Sequence, residues 1–308
     1  MSRHRIRRSA LSATVAAAVV LAGSAAGGAY LAGRPAGHAP AAAASVSSVP
    51  SAATAPVAAA SEEPTVERDT ELAAAVEPLL ADAGTAALSV AVLDSAGRTR
   101  AVYGGADATY DTASIVKVDI LAALLLRAQD EKRALTTGEH AHAVAMIERS
   151  DNDSATALLA AVGGAAGLDA ANERLGLTST TAAQAWGLTR TTAADQLTLL
   201  EAVFGTDADA GLSEESRACV RGLMAQVEAD QQWGVSAAGS AWALKNGWMP
   251  RTATGLWNIN SIGQVTADGR TYLVAVLSGG QRTKESGIAL VEAAAKAAVA
   301  VVRAGAAG

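Results

Sequence analysis

The order of the periodic segments restricts the fold of this 308-residue chain more than any other sequence feature. Two segments with strand-like patterns, Leu88–Leu93 and Thr99–Tyr103, precede a long run of helical patterns. Three more strand-like segments follow that run, at 241–245, 256–262 and 272–277. Because the first and last strands must meet to complete one sheet, we predict an α+β fold. An antiparallel sheet would be flanked by helices, with an all-helical lobe inserted between its early and late strands.

Start and stop signals support the helical assignments. A helix is predicted over 67–83, where Pro78 should kink the helix or end it early. Thr136 and Glu139 form a capping box that opens another helix. A long last helix is predicted over Thr283–Arg303, because acidic residues come early in it and a basic residue ends it, matching the helix dipole.

The N-terminus has the pattern of an export signal. Arg3–Arg8 form a basic segment, and Ser9–Gly33 follow without a charge, with Val15–Leu21 as the apolar centre and small residues after it. This order is typical of a secretory signal peptide. The uncharged stretch is also long enough to cross a bilayer, for which about 20 residues suffice. We therefore predict an exported protein, secreted or tethered at the outer face of the cell membrane, in which residues 1–33 are a cleaved signal peptide or a retained anchor.

A linker is predicted between this segment and the folded domain. Residues 34–65 are mainly Ala, Pro, Ser and Val and show no periodicity. Such a segment cannot bury enough apolar surface to offset the entropy lost on ordering, so we predict that it is disordered. The folded domain is expected to occupy residues 66–308.

Charge and cysteine content exclude several functions. Five of the 24 basic residues and none of the 30 acidic ones lie in the first sixty positions, so the remainder is strongly acidic. This charge argues against nucleic-acid binding, which needs a cationic surface. Cys219 is the only cysteine, and His140 and His142 lack a third ligand nearby, so we predict no disulfide and no metal site. We expect a monomer.

The first candidate for a catalytic motif is Ser114-Ile115-Val116-Lys117, at the start of a helix. A serine hydroxyl is a weak nucleophile unless a base accepts its proton. Residues three apart lie on the same helix face, so Lys117 is placed to accept the proton of Ser114. Backbone N–H groups at the helix N-terminus are suited to stabilise an oxyanion. Alone, the same pattern also fits a helix-capping serine followed by an unrelated lysine.

Two further motifs favour the same chemistry. Ser150-Asp151-Asn152 lies between two helices and offers a hydroxyl that can relay a proton and an amide that can bind a substrate amide. Lys245-Asn246-Gly247 lies on a late strand, where the lysine can bind a carboxylate and the glycine admits a substrate close to the strand. Taken singly, Ser150-Asp151-Asn152 also fits a helix-capping loop, and Lys245 also fits an ordinary lysine on an edge strand.

The three motifs in this order resemble the S-x-x-K, S-x-N and K-[ST]-G signatures of the penicillin-recognising serine hydrolases. The S-D-N form, the Ala-Val-Gly-Gly segment at 161–164 and the segment Leu188–Thr192 resemble the class A β-lactamases in particular. The similarity extends roughly from Leu72 to Arg303. It implies a β-lactamase/transpeptidase-like fold.

The resemblance also assigns roles to the motif residues. Ser114 would be acylated, Lys117 would assist as base, and Ser150 would pass a proton to the leaving nitrogen. Asn152 would bind the side-chain amide of the substrate. The remaining substrate-binding residues would be Lys245, Asn246, Gly247 and Trp248, with Lys245 binding the substrate carboxylate and the backbone N–H of Trp248 completing the oxyanion hole. Arg251 is a second candidate for carboxylate binding.

The sequence departs from the class A pattern in three places. Class A enzymes hydrolyse the acyl-enzyme with a glutamate on an omega loop, but Arg174–Ala194 contains no acidic residue, and Gln184 can orient water without acting as a base. Asn246 replaces the usual Thr or Ser of the third motif. The stretch from Ser114 to Ser150 is shorter, which predicts a more open cleft.

These features predict a serine hydrolase that forms an acyl-enzyme on β-lactam amides and hydrolyses it slowly. The alternatives are a D,D-peptidase acting on D-alanyl-D-alanine peptides, a non-hydrolytic penicillin-binding sensor, and a purely structural envelope domain. The intact Ser114, Lys117 and Ser150 argue against complete loss of activity. No cofactor is implied, because the chemistry needs only side chains and water.

Overall fold

The computed structural model describes residues 63–304 except positions 82, 97, 98, 106 and 207–210. The first half of this part contains α1 (Glu63–Leu80), β1 (Ala87–Asp94), β2 (Arg100–Tyr103), β3 (Tyr110–Asp111), α2 (Val116–Asp130), α3 (Thr137–Glu148), α4 (Asn152–Ala161) and α5 (Gly164–Arg174). The second half contains β4 (Arg190–Thr191), α6 (Ala193–Phe204), α7 (Glu214–Met224), β5 (Ala241–Pro250), β6 (Trp257–Ala267), β7 (Arg270–Gln281) and α8 (Lys284–Ala304).

Five strands form one antiparallel sheet in the order β2-β1-β7-β6-β5. The early and late strands meet where β1 pairs with β7 along its whole length. The helices α2 to α7 come between β2 and β5 in the chain, together with the two-stranded β3–β4 pair. The predicted α+β fold with an inserted helical lobe is therefore confirmed.

The sheet separates two apolar cores, and β7 contributes to both. Leu273, Ala275 and Leu277 belong to the core shared with the helical lobe. Val274 and Val276 belong to the second core, which also includes residues of α1 and α8. This alternation follows from the two-residue period of a strand, in which successive side chains point to opposite faces. Burial on both faces explains why β7 is apolar along its middle.

The first helix begins earlier than predicted. Positions 63–65, which the sequence analysis assigned to the linker, belong to α1, and the helix continues past Pro78 to Leu80. The predicted signal peptide or anchor and the rest of the linker lie outside the described residues. Within the described residues, no single helix has the length and apolar character needed to span a membrane. The α4–α5 pair meets these criteria only when its two helices, bent by 77°, are counted together.

Helix capping agrees with the sequence pattern. The Thr136 hydroxyl accepts a hydrogen bond from the Glu139 backbone N–H (3.2 Å), and the Glu139 carboxylate accepts one from the Thr136 N–H (2.8 Å). The predicted capping box is thus present at the start of α3. Asp151 caps α4 by accepting a hydrogen bond from the Ser154 N–H at 2.7 Å. Asp151, the middle residue of the second motif, therefore stabilises the start of α4.

Candidate active site

Ser114 lies in a tight turn immediately before α2. The residue before it, Ala113, has a φ of 46°, which is unusual for a residue with a Cβ and stores backbone strain. The side-chain amide of Asn260 on β6 holds the turn by donating to the carbonyls of Asp111 (2.9 Å) and Thr112 (3.0 Å). The strained turn is therefore fixed against the sheet, with Ser114 partly exposed.

Gly247 on β5 allows the closest approach between the sheet and this turn. A Cβ at position 247 would lie 2.5 Å from the Thr112 carbonyl oxygen and 2.9 Å from the Ser114 backbone nitrogen. Such distances are far below van der Waals contact, so no residue other than glycine fits without displacing the backbone. The third motif therefore needs its glycine for the position of Ser114 itself.

Lys117 connects the first two motifs. Its Nζ lies 3.0 Å from Ser114 Oγ, 2.7 Å from the Ser150 carbonyl oxygen, 3.0 Å from Ser150 Oγ and 2.9 Å from Asn152 Oδ1. The side chain is fully buried. Burial lowers the pKa of Lys117 to about 8, and the charge of Asp151 opposes this effect. A substantial fraction of Lys117 is therefore neutral at slightly alkaline pH, as a base for Ser114 requires.

Ser150 lies between two lysines. Its Oγ is 3.0 Å from Lys117 Nζ and 3.1 Å from Lys245 Nζ. Its φ of 56° is another strained backbone angle for a residue with a side chain. The turn between α3 and α4 thus places one hydroxyl where it can exchange protons with both amines.

Lys245 reaches the same hydroxyl from β5. It is fully buried, and its Nζ also donates to the Asn246 carbonyl (3.1 Å) and Gln231 Oε1 (3.4 Å). Burial, and then the charge of Lys117, hold the pKa of Lys245 well below the ordinary lysine value. Two amines with lowered pKa values and two hydroxyls therefore form one cluster that can move protons.

The structure does not bring the Asn246 side chain into this cluster. Asn246 is fully buried, and its amide donates to the carbonyls of Gln231 (2.7 Å) and Trp233 (3.0 Å). The amide nitrogen that the sequence analysis assigned to substrate binding is therefore used within the protein. The partly buried Trp248 ring packs edge-on against Trp233 at 5.9 Å beside the second core, and Lys284 Nζ lies 4.4 Å from its ring centroid.

Asn152 keeps one side of its amide free. Its Oδ1 accepts from Lys117, and the residue is exposed. Within the described part of the chain, its amide nitrogen has no hydrogen-bond partner. It is therefore placed to donate to a substrate carbonyl, as the sequence predicts.

The loop at 178–190 contains a contact that the sequence analysis missed. The Trp186 ring lies over Lys117, with 4.6 Å between Nζ and the ring centroid. Trp186 is the only aromatic residue between Arg174 and Ala194, and this isolation in a loop was the available signal. Gln184, the predicted water-orienting residue, is exposed and lies toward the turn at Gly164, with 3.9 Å between its amide and a Cβ built there.

Asp111 links the nucleophile turn to two arginines. Its carboxylate accepts from Arg251 and, at 3.3 Å, from Arg190, and Asn258 donates to it at 3.2 Å. Asp111 is nearly buried, whereas both guanidinium groups are partly exposed. Arg251, a predicted carboxylate partner, therefore already has a carboxylate from the protein.

A second acidic residue lies buried beneath the loop. Asp119 on α2 is fully buried, and neither of its carboxyl oxygens has a hydrogen-bond partner among the described residues. Burial raises the pKa of Asp119 to about 7, and its neighbour Gln196 has an unpaired Oε1 of its own. Gln196 also donates to Thr191 Oγ1 (3.1 Å), which bonds Thr180 Oγ1 at the loop base (2.8 Å). The charge of Asp195 also raises the pKa of Asp119, whereas the Gln196 side chain opposes the rise.

Solved structures with the same fold define the class of protein. The class A β-lactamase from Bacteroides cellulosilyticus DSM 14838 is 17% identical, with a TM-score of 0.66 over 77% of this chain and 99% of that one. An ancestral (GNCA) class A β-lactamase is 22% identical, with a TM-score of 0.63 over 74% of this chain and 99% of that one. PBP-A is 19% identical, with a TM-score of 0.64 over 78% of this chain and 97% of that one. These similarities show the class A β-lactamase fold.

The sequence assigns the family. The model of the beta-lactamase enzyme family matches residues 141–302, and the chain belongs to this family. The matched range includes the second and third motifs and begins after Ser114 and Lys117. No curated protein sequence matches the chain. The predicted membership of the β-lactamase and penicillin-recognising superfamily is confirmed.

Proposed function

We propose that the protein is a serine hydrolase that forms an acyl-enzyme through Ser114 on β-lactam amides and hydrolyses it slowly. The observation that supports this proposal most directly is the 3.0 Å contact between Ser114 Oγ and the buried Lys117, whose pKa is lowered to about 8. A nucleophile and a base lie within hydrogen-bond reach, which is the first geometric requirement for acyl transfer.

In the proposed acylation step, Lys117 first accepts a proton and later returns it through Ser150. Neutral Lys117 takes the proton of Ser114, whose Oγ attacks the amide carbonyl carbon. The backbone N–H groups of Ser114 and Trp248 stabilise the oxyanion, since Gly247 brings β5 against the Ser114 nitrogen. The C–N bond then breaks, and the nitrogen takes a proton from Ser150 Oγ, which recovers one from Lys117 at 3.0 Å.

Substrate binding follows the same geometry. Lys245 supplies a cation beside Ser150 for the substrate carboxylate, and Asn152 donates its free amide to the substrate side chain. The hydroxyl that the third motif usually contributes is absent, and Asn246 does not replace it because its amide is used inside the protein. Carboxylate binding through Lys245 alone is expected to be weak, so the acylation rate should reach half of its maximum only at a high substrate concentration.

Slow deacylation rests on the composition of the loop. A water molecule needs a base to attack the acyl-enzyme efficiently, and 174–194 contains no carboxylate. The side chain of this loop that lies over Lys117 is an indole, which accepts no proton. The ester at Ser114 is therefore proposed to persist.

A D,D-peptidase that acts on D-alanyl-D-alanine peptides is the second candidate. The absence of a loop carboxylate and the short stretch between Ser114 and Ser150 favour it, because a more open cleft suits a peptide. A sensor that stays acylated is the limiting case of the same chemistry. We also propose that the protein is exported, which the basic and apolar N-terminal pattern supports.

The test combines a chromogenic cephalosporin in excess with intact-mass measurement of the purified protein. We expect about one equivalent of colour per protein and a mass increase that persists. The Ser114→Ala variant should show neither, and Ser95→Ala serves as a control because Ser95 lies in the β1–β2 turn. Sustained colour without an adduct would contradict slow deacylation. The absence of both in the wild type would contradict acylation by β-lactams and leave the peptide substrate as the next test.

A further inference from the structure

The Trp186 ring lies over the Lys117 amine, beside the oxygen atoms that surround it. The oxygens of Ser114, Ser150 and Asn152 lie within 3.0 Å of Nζ, and the indole centroid lies 4.6 Å from it. Lys117 is fully buried in this arrangement, although Ser114 and Asn152 beside it are accessible. The indole therefore contributes to the removal of Lys117 from solvent.

Trp186 is held in this position by residues of the site itself. Its Nε1 donates to Thr156 Oγ1 (3.2 Å), and the Thr156 hydroxyl donates to the Asn152 carbonyl (3.0 Å). Its carbonyl accepts from the Thr189 N–H (3.0 Å) and the Thr112 hydroxyl (3.4 Å). The ring is thus connected to the nucleophile turn and to the start of α4, which a loosely packed surface tryptophan would not be.

We infer that Trp186 is a positioning residue that excludes water from Lys117 and thereby prolongs the life of the acyl-enzyme. This inference rests on the proposed function, since it concerns the base of that reaction. A water molecule that approaches Lys117 from the loop side meets the face of the indole. The same contact keeps the amine directed at Ser114 Oγ before acylation.

Two opposing effects of the ring on Lys117 can be compared. The face of the indole attracts the protonated amine of Lys117, and this attraction stabilises the charged form by about 0.5–2 kcal/mol. The ring also removes water, which favours the neutral amine, and burial is the dominant influence on the pKa of Lys117. The other charges that face this amine are Asp151 in the α3–α4 turn and Lys245 on β5. Loss of the ring should therefore raise the pKa of Lys117.

The test compares Trp186→Ala and Trp186→Phe with Trp257→Phe, which changes a tryptophan of the second core. The pKa of Lys117 in the free protein is measured by ¹³C NMR titration of its Cε, and the acyl-enzyme lifetime by intact mass. For Trp186→Ala we expect the pKa to rise by about one pH unit and the lifetime to fall roughly tenfold. Trp186→Phe should restore most of both values.

Thr156→Val provides a second variant if Trp186→Ala does not fold. It removes the partner of the indole N–H and leaves the ring in place, so both measurements should change in the same direction by less. If Trp186→Ala matches Trp257→Phe in both measurements, the inference is wrong. If no protein forms an adduct, the proposed function fails, and the pKa of Lys117 alone decides for or against the role of Trp186.

Discussion

The two sides of the cleft differ in the chemistry that they offer. The side formed by α2, the α3–α4 turn and β5 carries two buried amines and two hydroxyls. Each group lies within 3.1 Å of the next, in the order Ser114, Lys117, Ser150 and Lys245. On the side formed by the loop at 178–190, the side chain that lies over Lys117 is an indole. The carboxylates of Asp169, Asp195 and Asp111 contact this loop from other segments, and they accept hydrogen bonds from its backbone, from Thr180 and from Arg190. The first side is suited to form an ester, and the second lacks a group that would activate water. Under the proposed function, attack and hydrolysis would depend on separate parts of the fold.

The largest expected effect comes from removing the base on the first side. Lys117→Arg keeps a positive charge but cannot become neutral, so it should lower the acylation rate by about 10²–10⁴-fold. In the wild type, the acylation rate should rise with pH up to about 8, because the neutral amine is the active form. Stopped-flow measurement with a chromogenic cephalosporin tests both expectations, with the exposed Lys296→Arg as control. A Lys117→Arg rate within about threefold of the wild type would contradict the role of Lys117.

A smaller effect is expected from displacing the turn without changing any reacting group. In Gly247→Ala the new methyl group would overlap the Thr112 carbonyl and the Ser114 nitrogen. We expect acylation to fall by roughly 10²-fold and the free energy of unfolding by about 1–3 kcal/mol. Urea denaturation and the same rate assay measure the two effects. The control is Gly222→Ala, where a Cβ meets no atom within 4 Å, and equal behaviour of the two variants would contradict the close approach.

The smallest expected effect concerns how the buried Asp119 makes the free energy of unfolding depend on pH. Because the pKa of Asp119 is raised to about 7 in the folded protein, the free energy of unfolding should fall as pH rises from the ordinary aspartate pKa to about 7. Asp119→Asn, which carries no charge at any of these pH values, should remove this loss. From pH 5 to pH 8, the free energy of unfolding of this variant should rise relative to that of the wild type by on the order of 1–3 kcal/mol. Urea denaturation at both pH values is the measurement, and the exposed Asp107→Asn is the control. If the free energies of unfolding of Asp119→Asn and the wild type differ by the same amount at both pH values, a buried neutral carboxyl at Asp119 is contradicted.

Local spacing made part of this site predictable. Ser114 and Lys117 are three residues apart on a helix, so their contact follows from helical geometry alone. The capping box at Thr136 was also readable from the sequence, because its partners are neighbours in the chain.

Other contacts depend on how distant segments pack. The contact between Lys245 and Ser150 joins positions 95 apart, and its distance depends on the position of β5 against the α3–α4 turn. The position of Trp186 over Lys117 depends on the path of a loop with few periodic residues. The burial of Asp119 was hidden because a single acidic residue in an apolar helix does not show which neighbour it meets. These features are tertiary, and a pattern of nearby residues does not encode them.

The pairing of β1 with β7 also has a consequence for the order of folding. Asp94 lies opposite Tyr272, so this pairing closes a loop of chain that contains the whole helical lobe. Closing a long loop costs conformational entropy before it gains contacts, and folds with distant pairings form slowly. Ser114 and Ser150 lie inside that loop, and so does Lys245, whose strand joins the sheet only through β6. We expect the capacity to be acylated to appear in the last phase of refolding, after most of the helix content has formed.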